Sequence, residues 1–253
     1  MSVHNLTPVT TAISAKGLEV RYGDTVALAG VDLEVEKGSL LSVIGPNGAG
    51  KSALLNALAG TIDLSAGELT IEGDSPALVL QATEVDAALP ITVREVVSLA
   101  RYPERGLFGR MRSEDRAVVD LSLERLRIQH LAKRQFRELS GGERQRTLVA
   151  QGLAQEADVL LLDEPINGLD IVSRSLILEV INEEIAENRA VVITTHSLED
   201  ARRSDQVLLL CTRPCCVGDP ADVLTEDHLL EAFGGQHLRV GQSLVIDDPH
   251  HVH

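Results

Sequence analysis

Residues 39–52 read Ser39-Leu40-Leu41-Ser42-Val43-Ile44-Gly45-Pro46-Asn47-Gly48-Ala49-Gly50-Lys51-Ser52. The stretch from Ser39 to Ile44 reads as a buried strand, and it empties into a loop of the pattern G-x-x-x-x-G-K-[ST]. Leu54, Leu55 and Leu58 then supply one apolar face of a helix predicted over 52–59. The glycines let the backbone turn tightly and lay its N–H groups against phosphate oxygens, while the helix adds its positive N-terminal end. Lys51 is placed to reach the β- and γ-phosphates of a nucleotide. Ser52 offers a hydroxyl to Mg²⁺, a hard cation that takes only one or two protein oxygens. Gly45, Pro46, Asn47, Gly48, Ala49, Gly50, Lys51 and Ser52 are therefore the candidate nucleotide-binding residues. The competing reading is a glycine-rich turn that carries a lysine by accident, and the preceding strand and following helix argue against it.

Around this unit, 253 residues are enough for one α/β domain with a substantial core and a smaller helical lobe. No run of 18 apolar residues occurs, and the N-terminus lacks the charged, apolar, small-residue order of an export leader, so a cytoplasmic chain is expected. Three cysteines, Cys211, Cys215 and Cys216, are too few and too clustered for a disulfide framework, which agrees with a reducing compartment. The formal charge of −15 and an aromatic content of 2% argue against a nucleic-acid partner held by a basic face or by base stacking. The charge is unevenly spread: residues 94–146 hold 13 Lys and Arg against 8 Asp and Glu. That basic lobe is either a set of solvated helix faces or a surface that meets a partner or anionic lipid.

Coarse periodicity predicts strands over 12–20, 26–35, 68–71 and 77–80, the last running into Gln81. From Thr92 to about Ile128 the spacing is helical, with Val93, Val96, Val97 and Ala100, then Val118, Leu121, Leu123, Leu126 and Ile128. A helix over 144–154 follows the glycine-rich turn Leu139-Ser140-Gly141-Gly142-Glu143. Strand and helix then alternate: strands over 159–162, 191–195 and 207–210, helices over 173–186 and 198–203. Such alternation implies a mostly parallel sheet with crossover helices. The apolar strand over 159–162 delivers Asp163 and Glu164 to the crevice where ligands bind in open α/β sheets. A strand-end carboxylate pair alone is more often a helix cap or a solvated turn; beside a phosphate loop it reads as a site, Asp163 suited to Mg²⁺.

The ordered series of phosphate loop, Gln81, Leu139 to Glu143, Val159 to Pro165, Gly168-Leu169-Asp170 and His196 resembles the ATP-binding-cassette ATPases over nearly the whole chain. The resemblance implies a RecA-like P-loop core with a mostly parallel sheet, an antiparallel β subdomain and a helical subdomain. It implies one ATPase domain over 11–235, its helical subdomain about 82–155, and a tail over 236–253. It also implies roles. Glu164 polarises the attacking water as general base, Gln81 touches Mg²⁺ and that water, and His196 contacts the γ-phosphate and links it to Glu164. Tyr22 stacks on adenine, and Ser52, Gln81 and Asp163 form the metal set. Each has a plainer alternative: a turn glutamine, a structural histidine, a hairpin tyrosine.

Ser140, Gly141 and Gly142 offer a second anion site at a helix N-terminus, and one γ-phosphate does not need two cradles from one domain. In the family, the signature of one cassette closes over ATP held by the other, with Asp170 across the seam. A head-to-tail dimer of two copies is therefore expected. Glu143 where Gln is frequent and Ala53 where Thr is frequent remove no required group; Asn167 where Thr or Ser is usual is expected to alter the seam hydrogen bonds, and catalysis is expected to survive all three departures. Residues 89–97, 101–103, 218–225 and 232–235 resemble the manganese, zinc and iron importers and, less closely, the iron-chelate importers. The implied partners are a separate membrane permease and an extracytoplasmic substrate-binding protein, with the chain peripheral on the inner face of the membrane. A siderophore or cobalamin importer, and a soluble regulatory or assembly ATPase, are the alternatives. Metal ligation by Cys211, Cys215 and Cys216, or by His250, His251 and His253, is the weaker reading of those clusters beside turn cysteines and a frayed terminus.

Overall fold

Parallel strand β3 (Leu40–Ile44) lies between β7 (Ala190–Thr194) and β8 (Gln206–Leu210) in a six-stranded sheet that runs, edge to edge, β5 (Ala77–Val79), β6 (Val159–Leu162), β7, β3, β8 and β9 (Pro214–Gly218). The computed structural model describes residues 10–81, 90–102, 110–211, 214–233, 237–240 and 243–246. Leu89, Pro103, Gly234, Gly235, His250, His251 and His253, named above, lie outside the described residues.

The remaining elements are, in chain order, β1 (Thr11–Tyr22), β2 (Thr25–Glu36), α1 (Lys51–Leu58), β4 (Ala66–Ile71), α2 (Val93–Ser98), α3 (Ser113–Arg125) and α4 (Gly141–Leu153). They continue with α5 (Ile171–Ala186), α6 (Leu198–Ala201), α7 (Pro220–Val223), α8 (Glu226–Phe233), β10 (His237–Val240) and β11 (Ser243–Ile246). β5, β6, β7, β3 and β8 run parallel, and β9 returns antiparallel on β8. β1, β2 and β4 form a separate antiparallel sheet of order β2-β1-β4.

The central strands read as unbroken apolar runs because both of their faces are covered. Leu160 and Leu162 of β6, with Val191 and Ile193 of β7, join the cluster formed with α2, α3, α4 and α5. Their alternates, Val159, Leu161, Ala190 and Val192, join the cluster formed with α1 and the antiparallel sheet. The period-two alternation of a strand thus splits one sequence run between two cores. Helix starts are fixed by side-chain caps. Thr92 and Glu95 make a capping box at α2, Ser140 and Glu143 make one at α4, and the Asp170 side chain accepts from Ser173 N at α5. These caps begin α4 and α5 earlier than periodicity predicts.

Other expectations are corrected. Leu121 is exposed rather than core, because it falls off the i, i+4 stripe that Val119 and Leu123 share on α3. Within the stretch 236–253, β10 and β11 pair antiparallel. Cys211 is disulfide-bonded and Cys216 is a free thiol; β9 returns antiparallel on β8, with Leu210 opposite Pro214 and Leu209 opposite Cys216. Part of the lobe's positive charge is used inside the chain. Arg101 pairs with Asp115 and Glu156, and Arg125 with Glu183 and Glu184. Among the described residues no helix is long and apolar enough to cross a membrane, and no group of three metal-ligating side chains is assembled.

Candidate functional site

The order β5-β6-β7-β3 sets four parallel strand ends side by side, and each carries one part of the site. Gln81 follows β5, Asp163 and Glu164 follow β6, His196 follows β7, and the glycine loop follows β3.

Backbone close approach explains the loop's glycines. A Cβ on Gly45 would stand 2.2 Å from the Leu210 carbonyl oxygen, and one on Gly50 2.3 Å from the Ala27 oxygen, with Gly50 at φ 99°. Ala27 belongs to the β1–β2 hairpin, so that hairpin packs onto the end of the loop and carries Tyr22, half-exposed, at its tip. Lys51 is buried, and its Nζ donates to the carbonyls of Gly45 at 2.8 Å and Pro46 at 3.2 Å. The ammonium is thereby held inside the curve of the loop.

Ser52 Oγ donates to Asp163 Oδ2 at 3.0 Å. A hydroxyl and a carboxylate oxygen that converge in this way are the hard donors Mg²⁺ takes, so the residues present fit that ion. Thr194 ties the two strand ends together: its Oγ1 donates to Asp163 Oδ1 at 2.5 Å and accepts from the Glu164 backbone N–H at 2.8 Å. Sequence reasoning missed Thr194; its signal was a hydroxyl closing the otherwise apolar strand Val191-Val192-Ile193.

Glu164 sits at φ 45°, a left-handed conformation uncommon outside glycine and found where surrounding structure over-determines the backbone. Its Oε1 is hydrogen-bonded to His196 Nε2, and its Oε2 accepts from Asn167 Nδ2 at 3.0 Å and Gln81 Nε2 at 3.4 Å. The hydrogen bond from His196 lowers the Glu164 pKa; burial opposes this, and the His196 charge, Asn167 and Lys51 add to it. The carboxylate is ionised at neutral pH and can accept a proton. Asn167, noted for its departure at the expected seam, reaches Glu164 within its own chain.

Ser140, Gly141, Gly142 and Asp170 form a group at the starts of α4 and α5. A Cβ on Gly142 would stand 2.5 Å from Ser173 Oγ and 2.7 Å from Asp170 Oδ2, so α4 begins directly against the α5 cap. Asp170 accepts from Ser173 N at 2.9 Å and Ser173 Oγ at 2.7 Å, and these bonds lower its pKa. Glu143 Oε2 accepts from both Ser140 N at 2.8 Å and Ser140 Oγ at 2.9 Å. Glutamate at this position therefore builds the turn itself, a role that sequence reading did not assign it.

The chain is similar to known proteins over most of its length. The family description "ABC transporter" matches residues 28–167. The manganese transport system ATP-binding protein of Listeria monocytogenes is 35% identical over 228 residues, covering 87% of this chain and 95% of that one. The hemin import ATP-binding protein of Streptomyces coelicolor is 36% identical, covering 96% of this chain and 91% of that one. Among solved structures, a metal-chelate type ABC transporter in an inward-facing conformation superposes with a TM-score of 0.82 at 29% identity, covering 93% and 95% of the two chains.

Proposed function

The chain belongs to the ABC transporter family as an ATP-binding, ATP-hydrolysing subunit, and on that premise we propose that it powers import of a metal cation through a separate membrane permease. The observation that carries the hydrolytic part is the Glu164 carboxylate, ionised and fixed by His196, Asn167 and Gln81 at the strand end beside the phosphate loop.

The residues divide the work as follows. The loop from Gly45 to Ser52 wraps the phosphates of ATP, with Lys51 exchanging its carbonyl contacts for β- and γ-phosphate oxygens. Ser52 and Asp163, with Gln81, would hold Mg²⁺, which supplies positive charge to the phosphate oxygens when bound. Glu164 takes a proton from the attacking water, while His196 orients that carboxylate and reaches toward the γ-phosphate. Tyr22, exposed on the hairpin, covers adenine.

Ser140, Gly141, Gly142 and Asp170 act on the ATP of a second copy in a head-to-tail dimer. Ile171 and Val172, 86% and 63% exposed directly beside Asp170, place apolar surface where that seam would form. The helical segment, within about 82–155, docks the permease in this reading, and 11–235 acts as one ATPase domain. Manganese, zinc or iron is the proposed cargo. Its support is the similarity to the manganese transport protein, and similarity to the hemin import protein sustains a metal-chelate cargo as the second reading. An extracytoplasmic binding protein completes the system, with this chain on the inner face of the membrane.

The deciding experiment is purification from detergent-solubilised membranes, followed by ATPase assays of the reconstituted complex with a panel of metal ions and chelates. Recovery with a polytopic membrane protein and stimulation by a free divalent cation support the proposal. Stimulation by chelates alone moves the cargo to the second reading, and recovery only in soluble complexes overturns import.

A further inference from the structure

Behind Glu164 lies a cavity of about 140 Å³, bounded by Glu164, Thr194, His196, Ser197, Arg174 and Asp200 among others. Asp200 is 3% exposed, and its two carboxylate oxygens differ sharply. Oδ1 accepts from Arg174 Nη2 at 2.5 Å, whereas Oδ2 is buried without a hydrogen-bond partner among the described residues. A buried carboxylate oxygen left dry is costly, and a polar cavity of this size has room for water to satisfy it.

The backbone of Asp200 is tied to the site as well. Its N–H donates to Ser197 Oγ at 3.2 Å, closing the turn that follows His196, and Ser197 N in turn donates to Thr195 Oγ1 at 3.0 Å. Arg174 lies one helical turn beyond Asp170, its N–H donating to the Asp170 carbonyl at 3.0 Å. One ion pair thus joins the α5 start, packed on Gly142, to the loop that carries His196.

We propose that Asp200, clamped by Arg174, is a positioning residue for hydrolysis: it fixes the His196 loop and anchors water in the cavity adjoining the Glu164 carboxylate. This rests on the ATPase reading above. Asp200 makes no contact with the nucleotide in this scheme; it acts through His196 and ordered water. Arg174 supplies the compensating charge for a carboxylate this deeply buried.

The test uses the full-length chain, Mg²⁺ and ATP, comparing wild type, Asp200→Asn, Asp200→Glu, Arg174→Ala and Arg174→Lys, with His196→Ala alone and combined with Asp200→Asn. Asp200→Asn is expected to lower kcat roughly tenfold or more, while KM and the affinity for a fluorescent ATP analogue change less than about twofold. In the His196→Ala background the same substitution should cost less than about twofold, because the residue it works through is gone. Asp200→Glu should recover part of the loss. If Asp200→Asn fails to fold, Arg174→Lys against Arg174→Ala carries the test: the lysine variant should keep most of the turnover that the alanine variant loses. Unchanged kcat in Asp200→Asn, or losses that multiply fully with His196→Ala, overturn this inference alone. A wild-type chain that hydrolyses no ATP overturns the ATPase reading with it.

Discussion

His196 Nε2 hydrogen-bonds Glu164 Oε1 across the ends of two neighbouring parallel strands, β7 and β6. That pairing leaves Oε2 as the oxygen contacted by Gln81 and Asn167. A carboxylate gripped from three sides is poor at moving and good at accepting a proton from a fixed direction.

Replacing Glu164 with Gln keeps the shape and an oxygen acceptor but removes the base. ATP binding should persist within a few-fold, while turnover falls by about 10²–10⁴, the range expected for loss of general-base catalysis. Steady-state phosphate release together with equilibrium nucleotide binding checks this. Equal turnover in the variant would take Glu164 out of the role.

The same contacts set a pH signature in stability. The folded-state pKa of Glu164 lies below its ordinary 4.5, chiefly through the His196 hydrogen bond. The stabilisation is therefore fully present above the unfolded-state value and is lost as pH falls through the lower folded-state value. Urea unfolding between about pH 3 and pH 7 should show wild type losing stability toward acid more steeply than Glu164→Gln, with the two curves parallel above about pH 5.5. Curves parallel throughout would mean that the pair does not bias the carboxylate.

The glycines of the phosphate loop should divide by what surrounds them. Gly48 has φ 80° with open space where a Cβ would go, whereas Gly50 combines φ 99° with a carbonyl oxygen 2.3 Å from that point. Gly48→Ala should cost about 1 kcal/mol, the conformational penalty alone. Gly50→Ala must also push the β1–β2 hairpin off the loop, so it should lose more stability and nucleotide affinity together. Thermal unfolding and nucleotide titration of the two variants separate these outcomes.

Much of this was legible in the sequence because strand ends and glycine turns have local signatures. The strand preceding Gly45, the run before Asp163 and the run before His196 each announced a site residue through an apolar stretch ending in a polar one. Thr194 broke that pattern by only one residue and passed as strand, although it holds both Asp163 and Glu164. Arg174 and Asp200 lay 26 positions apart on helices whose packing no local pattern encodes, so their pairing appears only in three dimensions. The disulfide at Cys211 escapes sequence reading for a related reason: counting cysteines says nothing of the antiparallel return of β9 on β8.

Ion pairs offer the last prediction, because two of them differ in burial alone by enough to reverse their importance. Glu184 is 2% exposed; Arg125 Nη1 reaches its Oε1 at 2.6 Å, and Arg189 holds its Oε2. The triad ties α3 to α5 and to the turn before β7. Glu199 and Arg203 instead form an i, i+4 pair on α6 and just beyond it, with side chains 71% and 62% exposed. Removing Glu184 takes away the buried partner of both guanidinium groups and leaves Arg125 to Glu183 and Arg189 to Glu187, which are half-exposed, so Glu184→Ala should cost about 3 kcal/mol. Glu199→Ala should cost about 0.5 kcal/mol or less, since water already solvates both partners. Replacing Arg125, Glu184 and Arg189 together with apolar residues of similar size should restore much of the loss, because no charge then has to be desolvated between α3 and α5. Urea denaturation of the three variants measures all of this, and a triple variant no more stable than Glu184→Ala would show that the triad's geometry, rather than charge compensation, holds α3 against α5.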